Sequence, residues 1–330
     1  MPGHDIAEAV RIVAGEVPEL PFLPELPQRG AGADFAGRAI ALLVDIWAEV
    51  MPSGWRISRR PTRDVQRAND FRQWDLDALD AVGGAGMLKI GVCGPVTLAA
   101  QLEVPNGNRV LTDHGAFADL AASLADGLAA HLADVRRRVP SARLVLQLDE
   151  PDIAAALAGA LPTASGFGTV APVDRNVVLE QLRAVLDSVG DARTVLYAGR
   201  AGLALAERLQ VDAVGLDFAR LGAGAAELDP VGEWLSSGGS VFAGLVPAAP
   251  GGPPRTLAEE LDPVRAPLLA LGFGAAELAE RVVLTPSGAL PEQTSDRAAN
   301  VLRRTRSAAR LLAEGSDNDA EHDAQSRSQS

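Results

Sequence analysis

Residues 144–151 (LVLQLDEP) constrain the fold of this chain more than any other stretch. The first five are apolar except for Gln147 and do not alternate strictly, a pattern typical of a strand buried on both faces of a parallel sheet. Two carboxylates, Asp149 and Glu150, follow where the strand should end, and the next residue is a proline, which cannot continue a ladder. Chemistry in α/β folds is concentrated at the carboxyl ends of such strands. The stretch therefore predicts an α/β protein with a candidate site at Asp149 and Glu150.

A pattern in which an apolar run is followed by a helical stretch recurs along the chain. Seven runs are predicted as strands: 54–58, 88–93, 144–148, 194–197, 213–216, 241–246 and 282–284. Repeated alternation of strand and helix indicates parallel pairing with right-handed crossovers. We therefore predict a TIM-type (β/α)8 barrel that forms a single domain over residues 1–314, with one strand unaccounted for. Residues 315–330 contain no large apolar residue and are predicted to be a disordered tail.

Composition and charge exclude several classes of function. The net charge of -13 argues against a nucleic-acid partner, which would need a basic face. No apolar run approaches the ~20 residues of a membrane span, and no signal peptide opens the sequence. The single cysteine fits a reducing cytoplasm. No dinucleotide or phosphate-loop motif follows a predicted strand, so a nucleotide cofactor is not expected. We expect a cytoplasmic protein with a small-molecule substrate; a protein partner stays open.

In such a barrel the residues just after each strand meet at one mouth. This set comprises Cys93, Asp149, Glu150, Tyr197, Arg200, Asp217, Arg220, Thr285 and Ser287. Only one of Asp149 and Glu150 can face the barrel axis, because successive strand residues point to opposite sides. We favour Asp149, which can hold a substrate ammonium or accept a proton. The alternative for this pair is an N-cap of the helix that begins near Asp152.

Most of the other rim residues have more than one interpretation. Asp217 can be a metal ligand, a substrate contact or a loop cap. Tyr197, the only tyrosine, can donate a hydrogen bond into the cavity or lie half-buried with a hydrated hydroxyl. Arg200 and Arg220 can bind a carboxylate or phosphate, although solvated surface arginines are the more common case. Cys93 has no nearby cation in sequence, which favours a buried, inert thiol.

Two further features are predicted to lie outside the chemistry. The four histidines, His4, His114, His131 and His322, cannot be combined by their spacing into a metal site. Residues 248–254, which are rich in proline and glycine, are predicted to form a mobile loop over the mouth.

Three motifs carry a family resemblance. They are Gly94-Pro95-Val96-Thr97-Leu98, Gln147-Leu148-Asp149-Glu150-Pro151 and Asp212-Ala213-Val214-Gly215-Leu216-Asp217. Together, and with residues 18–34 and 285–290, they resemble the C-terminal catalytic barrel of cobalamin-independent methionine synthase, in the form of its short single-barrel actinobacterial-type members. The resemblance implies methyl transfer from a methylated folate to homocysteine in methionine biosynthesis. It implies that Asp149 contacts the amino-acid part of that substrate, and it adds Thr97 to the substrate-binding candidates Asp149, Asp217 and Arg200; the catalytic candidates are Asp149, Glu150 and Tyr197.

The resemblance also implies zinc, which in that family binds the homocysteine sulfur and lowers its pKa. This chain has Tyr197-Ala198-Gly199 where the family has His-x-Cys, at best Asp217 for a glutamate ligand, and Gly288 for a cysteine. Zinc requires His nitrogen or Cys sulfur and is almost always four-coordinate. We therefore expect no family-type zinc, and whether the protein is an enzyme stays open. Without zinc, thiol activation would depend on Tyr197, Arg200 or Asp217, none of which is a convincing base.

The family opens with a strand that ends in a Gly-Ser-x-Pro turn, whereas this sequence begins with Met1-Pro2-Gly3. An open parallel edge would favour aggregation, so we expect a misplaced start that omits the first strand. Three functions remain: a zinc-free S-methyltransferase, a barrel that binds a small molecule or partner without turnover, and a reaction on the related barrel of uroporphyrinogen decarboxylase. The last uses carboxylates and arginines without a metal, and Asp149, Arg200 and Arg220 would suit a polycarboxylate.

Overall fold

The computed structural model describes residues 1–79, 86–163, 166–218, 220–221, 224–247, 255–287 and 290–327. Its helices are α1 (Ile6–Glu16), α2 (Phe35–Ile40), α3 (Arg63–Leu79), α4 (Pro95–Gln101), α5 (His114–Arg138), α6 (Ile153–Ala158), α7 (Arg175–Leu186), α8 (Gly199–Leu209), α9 (Ala225–Ser236), α10 (Leu257–Ala270), α11 (Ala275–Arg281) and α12 (Ser295–Arg327). Its strands are β1 (Trp47–Met51), β2 (Gly54–Ser58), β3 (Met87–Cys93), β4 (Leu102–Glu103), β5 (Arg143–Asp149), β6 (Arg193–Tyr197), β7 (Ala213–Asp217), β8 (Ser240–Pro247) and β9 (Val282–Ser287).

Six strands form one parallel sheet in the order β3-β5-β6-β7-β8-β9. They correspond to six of the seven predicted strands, and each pairs in parallel with its neighbour. Helices separate successive strands of this sheet, as crossover connections between parallel strands require. The prediction of a mixed α/β protein built on a parallel sheet is confirmed.

The seventh predicted strand, β2, was wrongly assigned to this sheet. It pairs antiparallel with β1 and in parallel with β4, in a separate three-stranded sheet. A two-residue turn joins β1 to β2, and Gly54 after it has a φ of 128°, which favours glycine. The apolar pattern of β2 indicated a strand, but it carried no information on the partner strand.

Side chains from the first and last strands of the parallel sheet line the same cavity. The sheet is therefore curled. Val145, Val195, Ala213 and Phe242 form a buried cluster on the inner face. Side chains of the opposite parity, such as Leu146, pack outward into the main hydrophobic core beneath the helices. The sheet thus has an inner face that encloses a cavity and an outer face that the helices bury.

A short extended segment, residues 21–23, adds to the β3 edge in parallel. The Leu23 N–H donates to the Lys89 carbonyl and the Lys89 N–H to the Pro21 carbonyl, both at 2.9 Å. In the sequence, residues 21–23 open a stretch rich in proline and glycine, residues 21–34, which hides this pairing. This segment brings Phe22 and Glu25 to the edge of the inner cavity.

The final helix, α12, has helical backbone as far as Arg327. It thus enters the segment 315–330, whose disorder stays a prediction from composition. Among the helices of the described residues, none combines the length and apolar character that a membrane span needs.

Candidate functional site

A cavity of about 610 Å³ lies on the inner face of the curled sheet. Inward-facing side chains of the sheet, side chains of α12 and Glu25 line it. The residues from the strands include Lys89, Gln147, Asp149, Tyr197, Phe242 and Val283, and those from α12 include Leu302, Thr305 and Ala309. Cavities of a few hundred Å³ with a few convergent polar groups are typical of small-molecule sites. This cavity is the candidate functional site.

Asp149 ends β5 and points into the cavity, because it has the same strand parity as Gln147 and Val145. Its Oδ1 accepts a hydrogen bond from Gln147 Nε2 at 2.7 Å. Burial, followed by the negative charge of Glu25, raises the pKa of Asp149 to about 7, while Gln147 and Lys89 oppose the shift. Near neutral pH this carboxyl can therefore accept or release a proton.

Glu25 and Asp149 both lie close to the side-chain position of Gly91. A Cβ atom at Gly91 would lie 3.0 Å from Glu25 Oε1 and 3.6 Å from Asp149 Oδ2. Arg38 forms an ion pair with Glu25 and donates to the Gly91 carbonyl at 3.3 Å. The absence of a side chain at Gly91 thus lets both carboxylates come close to its backbone.

Lys89 supplies a cation at the other end of the same polar chain. Its Nζ donates to Gln147 Oε1 at 2.8 Å and lies 5.6 Å from the centroid of the Phe22 ring. Burial lowers the pKa of Lys89, and the charges of Asp149 and Glu25 oppose that shift. Since Gln147 accepts from Lys89 and donates to Asp149, its amide orientation follows from this network.

Glu150 lies on the opposite side of β5 from Asp149 and is fully buried. Its carboxylate oxygens accept the backbone N–H groups of Val96 (2.9 Å) and Thr97 (2.7 Å), so it caps the first turn of α4. A Cβ atom at Gly94 would lie 2.3 Å from Glu150 Oε1, so only glycine leaves room for this contact. Burial raises the pKa of Glu150 to about 7, against these hydrogen bonds. Glu150 is not among the residues that line the cavity.

Thr97 is also fully buried and away from the cavity. Its Oγ1 accepts the backbone N–H of Asp152 at 3.2 Å. The contact joins the start of α4 to the loop after β5, so the motif that contains Thr97 and the one that contains Glu150 meet through hydrogen bonds. The N-cap residue of α6 is Asp152, whose side chain makes no capping bond; the sequence-based alternative of an α6 cap therefore does not describe Asp149 or Glu150.

Tyr197 ends β6 and lines the cavity, next to Asp149 in the sheet register. Burial raises the pKa of Tyr197, and the charges of Asp217 and Asp149 raise it further. A Cβ atom at Gly215 would lie 2.1 Å from Tyr197 Cδ2, so the ring packs flat over the neighbouring strand. Its hydroxyl is therefore a neutral donor or acceptor at ordinary pH.

Asp217, Arg200 and Arg220 do not line the cavity. Asp217 accepts a hydrogen bond from Ser287 Oγ at 2.9 Å and lies 3.3 Å from the Nε of Arg220, whose side chain is 86% exposed. Arg200 forms an ion pair with Glu227 and donates to the Ala226 carbonyl at 3.1 Å. Arg200 thus contacts α9.

Cys93 is buried next to Gly94, whose carbonyl lies 3.7 Å from its Sγ. Burial raises the pKa of this thiol, and the charges of Glu150 and Asp149 raise it further. Both effects keep the sulfur protonated and unreactive.

The residues at the implied zinc positions do not fit a zinc site. Within the described parts of the chain, no three His, Cys, Asp or Glu side chains lie where they could hold a metal together. Tyr197 offers a phenol, and Asp217 already contacts Ser287 and Arg220. Gly288 and the predicted loop 248–254 lie outside the described residues.

Sequence reasoning missed three polar residues of the cavity. Lys89 and Gln147 are single polar residues within apolar strands and share the parity of Gly91 and Asp149. That parity was a usable signal for an inward orientation. Glu25 comes from the proline-rich 21–34 stretch, where the sequence offers no signal that points to the cavity.

Solved structures with a similar fold are known, although no family model and no curated protein matches the sequence. A candidate vitamin B12-independent methionine synthase from Listeria monocytogenes superposes with a TM-score of 0.55 at 14% identity, over 93% of this chain and 85% of that one. A methyltransferase from Methanosarcina mazei gives a TM-score of 0.55 at 13% identity, with the same coverage. A B12-independent methionine synthase from a Shewanella species, in complex with selenomethionine, gives 0.47 at 13% identity over 82% of this chain and 74% of that one. B12-independent and cobalamin-independent are synonyms, and this chain has the fold of B12-independent methionine synthase-like proteins.

Proposed function

We propose that this protein binds a small amino acid, or an amino-acid-like thiol such as homocysteine, in the cavity beside Asp149 and without the zinc of the methionine synthase family. The observation that carries the proposal is the pair of carboxylates, Asp149 and Glu25, that line the cavity and both lie within 3.6 Å of the side-chain position at Gly91. A ligand ammonium in the cavity would pair with the Asp149 carboxylate and place a second cation near Glu25, which already pairs with Arg38.

The rest of the cavity suits the remainder of such a ligand. Lys89 donates to Gln147 and, as an ammonium group, has further protons for a ligand carboxylate. Phe242 and Val283 supply an apolar surface for a side chain. A zwitterionic amino acid with an apolar side chain therefore matches the charges and the polarity of the lining.

The proposal includes a TIM-type barrel as the architecture. The six parallel strands and the 21–23 segment would be seven of its eight wall positions, with the open position between β9 and residues 21–23. The curled sheet, the cavity at its centre and the fold of the similar structures support this arrangement.

Binding can be tested by calorimetric titration of the full chain with L-methionine and L-homocysteine. We expect both to bind, and N-acetyl-L-methionine, which lacks the ammonium group, to bind at least about tenfold more weakly, or about 1.4 kcal/mol. Asp149→Asn should weaken L-methionine to a similar extent. Asp126→Asn, on the exposed face of α5, is the matched control and should leave the affinity unchanged. Equal binding of the acetylated compound would contradict the proposal.

Methyl transfer to the thiol is a second candidate, in which Asp149, whose pKa is about 7 without ligand, would face the thiol and not the ammonium group. A free thiol has a pKa of about 8.5, so the Asp149 carboxylate can accept its proton. The thiolate would then attack the methyl group of a methylated folate; the S–CH3 bond forms, the N–CH3 bond breaks and the folate nitrogen takes up a proton.

We nevertheless expect no methionine from homocysteine and methylated folate, because the residues at the family's zinc positions, Tyr197, Asp217 and Gly288, do not supply the His and Cys ligands that zinc activation of the thiol requires. Purified protein should also hold well under one zinc per chain by elemental analysis. Methionine formation that disappears in Asp149→Ala would establish the second candidate instead. A uroporphyrinogen decarboxylase-like reaction, whose sign would be carbon dioxide release from a porphyrinogen, has no such support, because Arg200 and Arg220 do not line the cavity.

A further inference from the structure

A second, smaller cavity lies between β3 and the helices α2, α3 and α5. Its volume is about 30 Å³. One water molecule occupies roughly this volume in the liquid, so the cavity has room for a single water or a single ion of similar size. A polyatomic anion such as sulfate is too large for it.

The polar lining of this cavity is mostly cationic or donating. Arg38 of α2, Arg72 of α3 and His131 of α5 all line it. Among the described residues, Asp75 is the one carboxylate in the lining. It accepts hydrogen bonds from both terminal nitrogens of Arg29, at 2.7 Å and 2.8 Å, in an ion pair whose side chains are each 6% exposed. The charge of Asp75 is therefore already compensated.

Two buried nitrogens in the lining have hydrogen-bonding capacity to spare. In the parts of the chain that the structure describes, Arg72 Nε and His131 Nδ1 have no hydrogen-bond partner. Arg72 forms an ion pair with Asp134 over 4.0 Å, which is too long for a hydrogen bond, and Asp134 also pairs with Arg137 at 3.1 Å. Buried polar atoms without a partner are rare and costly. A species in the cavity that accepts hydrogen bonds would satisfy both nitrogens.

The charges around His131 favour an anion over a neutral acceptor. Burial, followed by the charges of Arg72 and Arg38, lowers the pKa of His131 to about 3, and Asp134 opposes the shift less strongly. The imidazole is thus neutral and keeps one N–H to donate. Since each arginine outweighs Asp134 at this ring, the electrostatic potential beside it is positive.

We propose that this cavity, the anion pocket, binds one chloride ion. Arg72 and His131 would donate hydrogen bonds to it, and those from the guanidinium are strengthened by its charge. Arg38 would contribute mainly charge, because its own nitrogens already pair with Glu25 and donate to the Gly91 carbonyl at 3.3 Å. The size of the pocket selects a halide, and its charge disfavours a cation.

The anion pocket is distinct from the candidate functional site but borders it. Leu23 and Gly91 line both cavities. Arg38 lines the anion pocket and pairs with Glu25, which lines the larger cavity. Chloride would therefore bind behind the residues that hold Glu25, and it would stabilise the folded state by mass action, because the unfolded chain has no such pocket.

The test is thermal unfolding of the full chain in sodium chloride and in sodium gluconate at equal ionic strength. Gluconate is too large for the pocket and reports the general effect of salt. We expect a higher Tm in chloride, by an amount that rises with the logarithm of the chloride concentration once this exceeds the Kd. Sodium bromide should act in the same way, and crystals grown in bromide should show an anomalous peak between Arg72 and His131.

Three variants locate the effect. Arg72→Met removes the guanidinium, and His131→Leu replaces the imidazole by an apolar side chain of similar volume. Each should lose the difference in Tm between chloride and gluconate. Arg137→Met is the matched control, because Arg137 pairs with the same Asp134 but is 70% exposed and does not line the pocket; it should keep the difference. If one pocket variant does not fold, the other variant and the bromide peak decide.

Three results would each overturn the proposal. Equal Tm values in chloride and gluconate would mean that the pocket holds only water. A chloride effect that persists in both Arg72→Met and His131→Leu would mean that the ion binds elsewhere. Bromide crystals without a peak in the pocket would exclude a halide there. No amino acid is present in any of these experiments, so this proposal and the proposed function fail independently.

Discussion

Replacement of Asp149 by asparagine should change the pH dependence of stability in a predictable way. Burial and the charge of Glu25 raise the pKa of Asp149 from an ordinary 3.8 to about 7. The folded state therefore binds more protons than the unfolded state between these values, and the free energy of unfolding falls as the pH rises through that window. Stability from this group is complete below pH 3.8 and lost above pH 7.

The magnitude follows from the size of the shift. About three pK units at about 1.4 kcal/mol each amount to roughly 4 kcal/mol of unfolding free energy. Asparagine keeps an oxygen that can accept the hydrogen bond from Gln147 Nε2, but it does not titrate. Asp149→Asn should therefore match the wild type near pH 4 and exceed it by up to about 4 kcal/mol near pH 8.

Urea unfolding of both proteins across this pH range measures the difference directly. Glu150 titrates in the same window, since burial raises its pKa to about 7 as well, but it is present in both proteins and cancels. Asp126→Asn controls for the loss of one surface carboxylate. A difference between wild type and Asp149→Asn that stays constant from about pH 4 to about pH 8 would refute the claim that the Asp149 carboxyl is desolvated.

Three further outcomes can be checked with simple measurements. Glu150→Ala should lower the unfolding free energy by about 3 kcal/mol, because two buried N–H groups of α4 lose their acceptor; Glu150→Gln, which keeps one acceptor, should lose less, and equal losses would contradict the capping role. Gly127→Ala should cost about 1–3 kcal/mol in thermal or chemical unfolding, since its Cβ would lie 1.6 Å from the Leu42 carbonyl oxygen, whereas Gly15→Ala, with no atom within 4 Å, should be neutral or slightly stabilising. Cys93 in native protein should resist iodoacetamide and react only after unfolding; rapid labelling of the folded protein would argue against its raised pKa.

Much of the sheet was predictable because buried parallel strands have a simple signature. Their apolar runs, such as residues 144–148, are long enough to stand out and end in breakers. Strand parity then oriented Asp149 inward and Glu150 outward. By contrast, the composition of β2 predicts a strand but not its partner strands. Those are determined by the two-residue turn that joins β2 to β1 and by the contact of β2 with β4.

The site was predictable only in part, because no local sequence pattern indicates which residues make contact across the sheet. Tyr197 and Asp149 end neighbouring strands, and the structure brings them to one cavity. Arg200 also follows a strand, but its guanidinium forms an ion pair with Glu227 on the next helix, α9. Glu25 reaches the cavity because the 21–23 segment pairs with β3, a long-range contact that prolines obscure in the sequence.

The most direct test is the number of protons released when L-methionine binds near pH 7, measured by calorimetry in buffers of different ionisation enthalpy. At that pH the Asp149 carboxyl is about half protonated, given its pKa of about 7. An ammonium group beside it should ionise it fully, so we predict release of about half a proton per chain, and none in Asp149→Asn. Binding without proton release, or the same release in both proteins, would contradict a ligand site at Asp149.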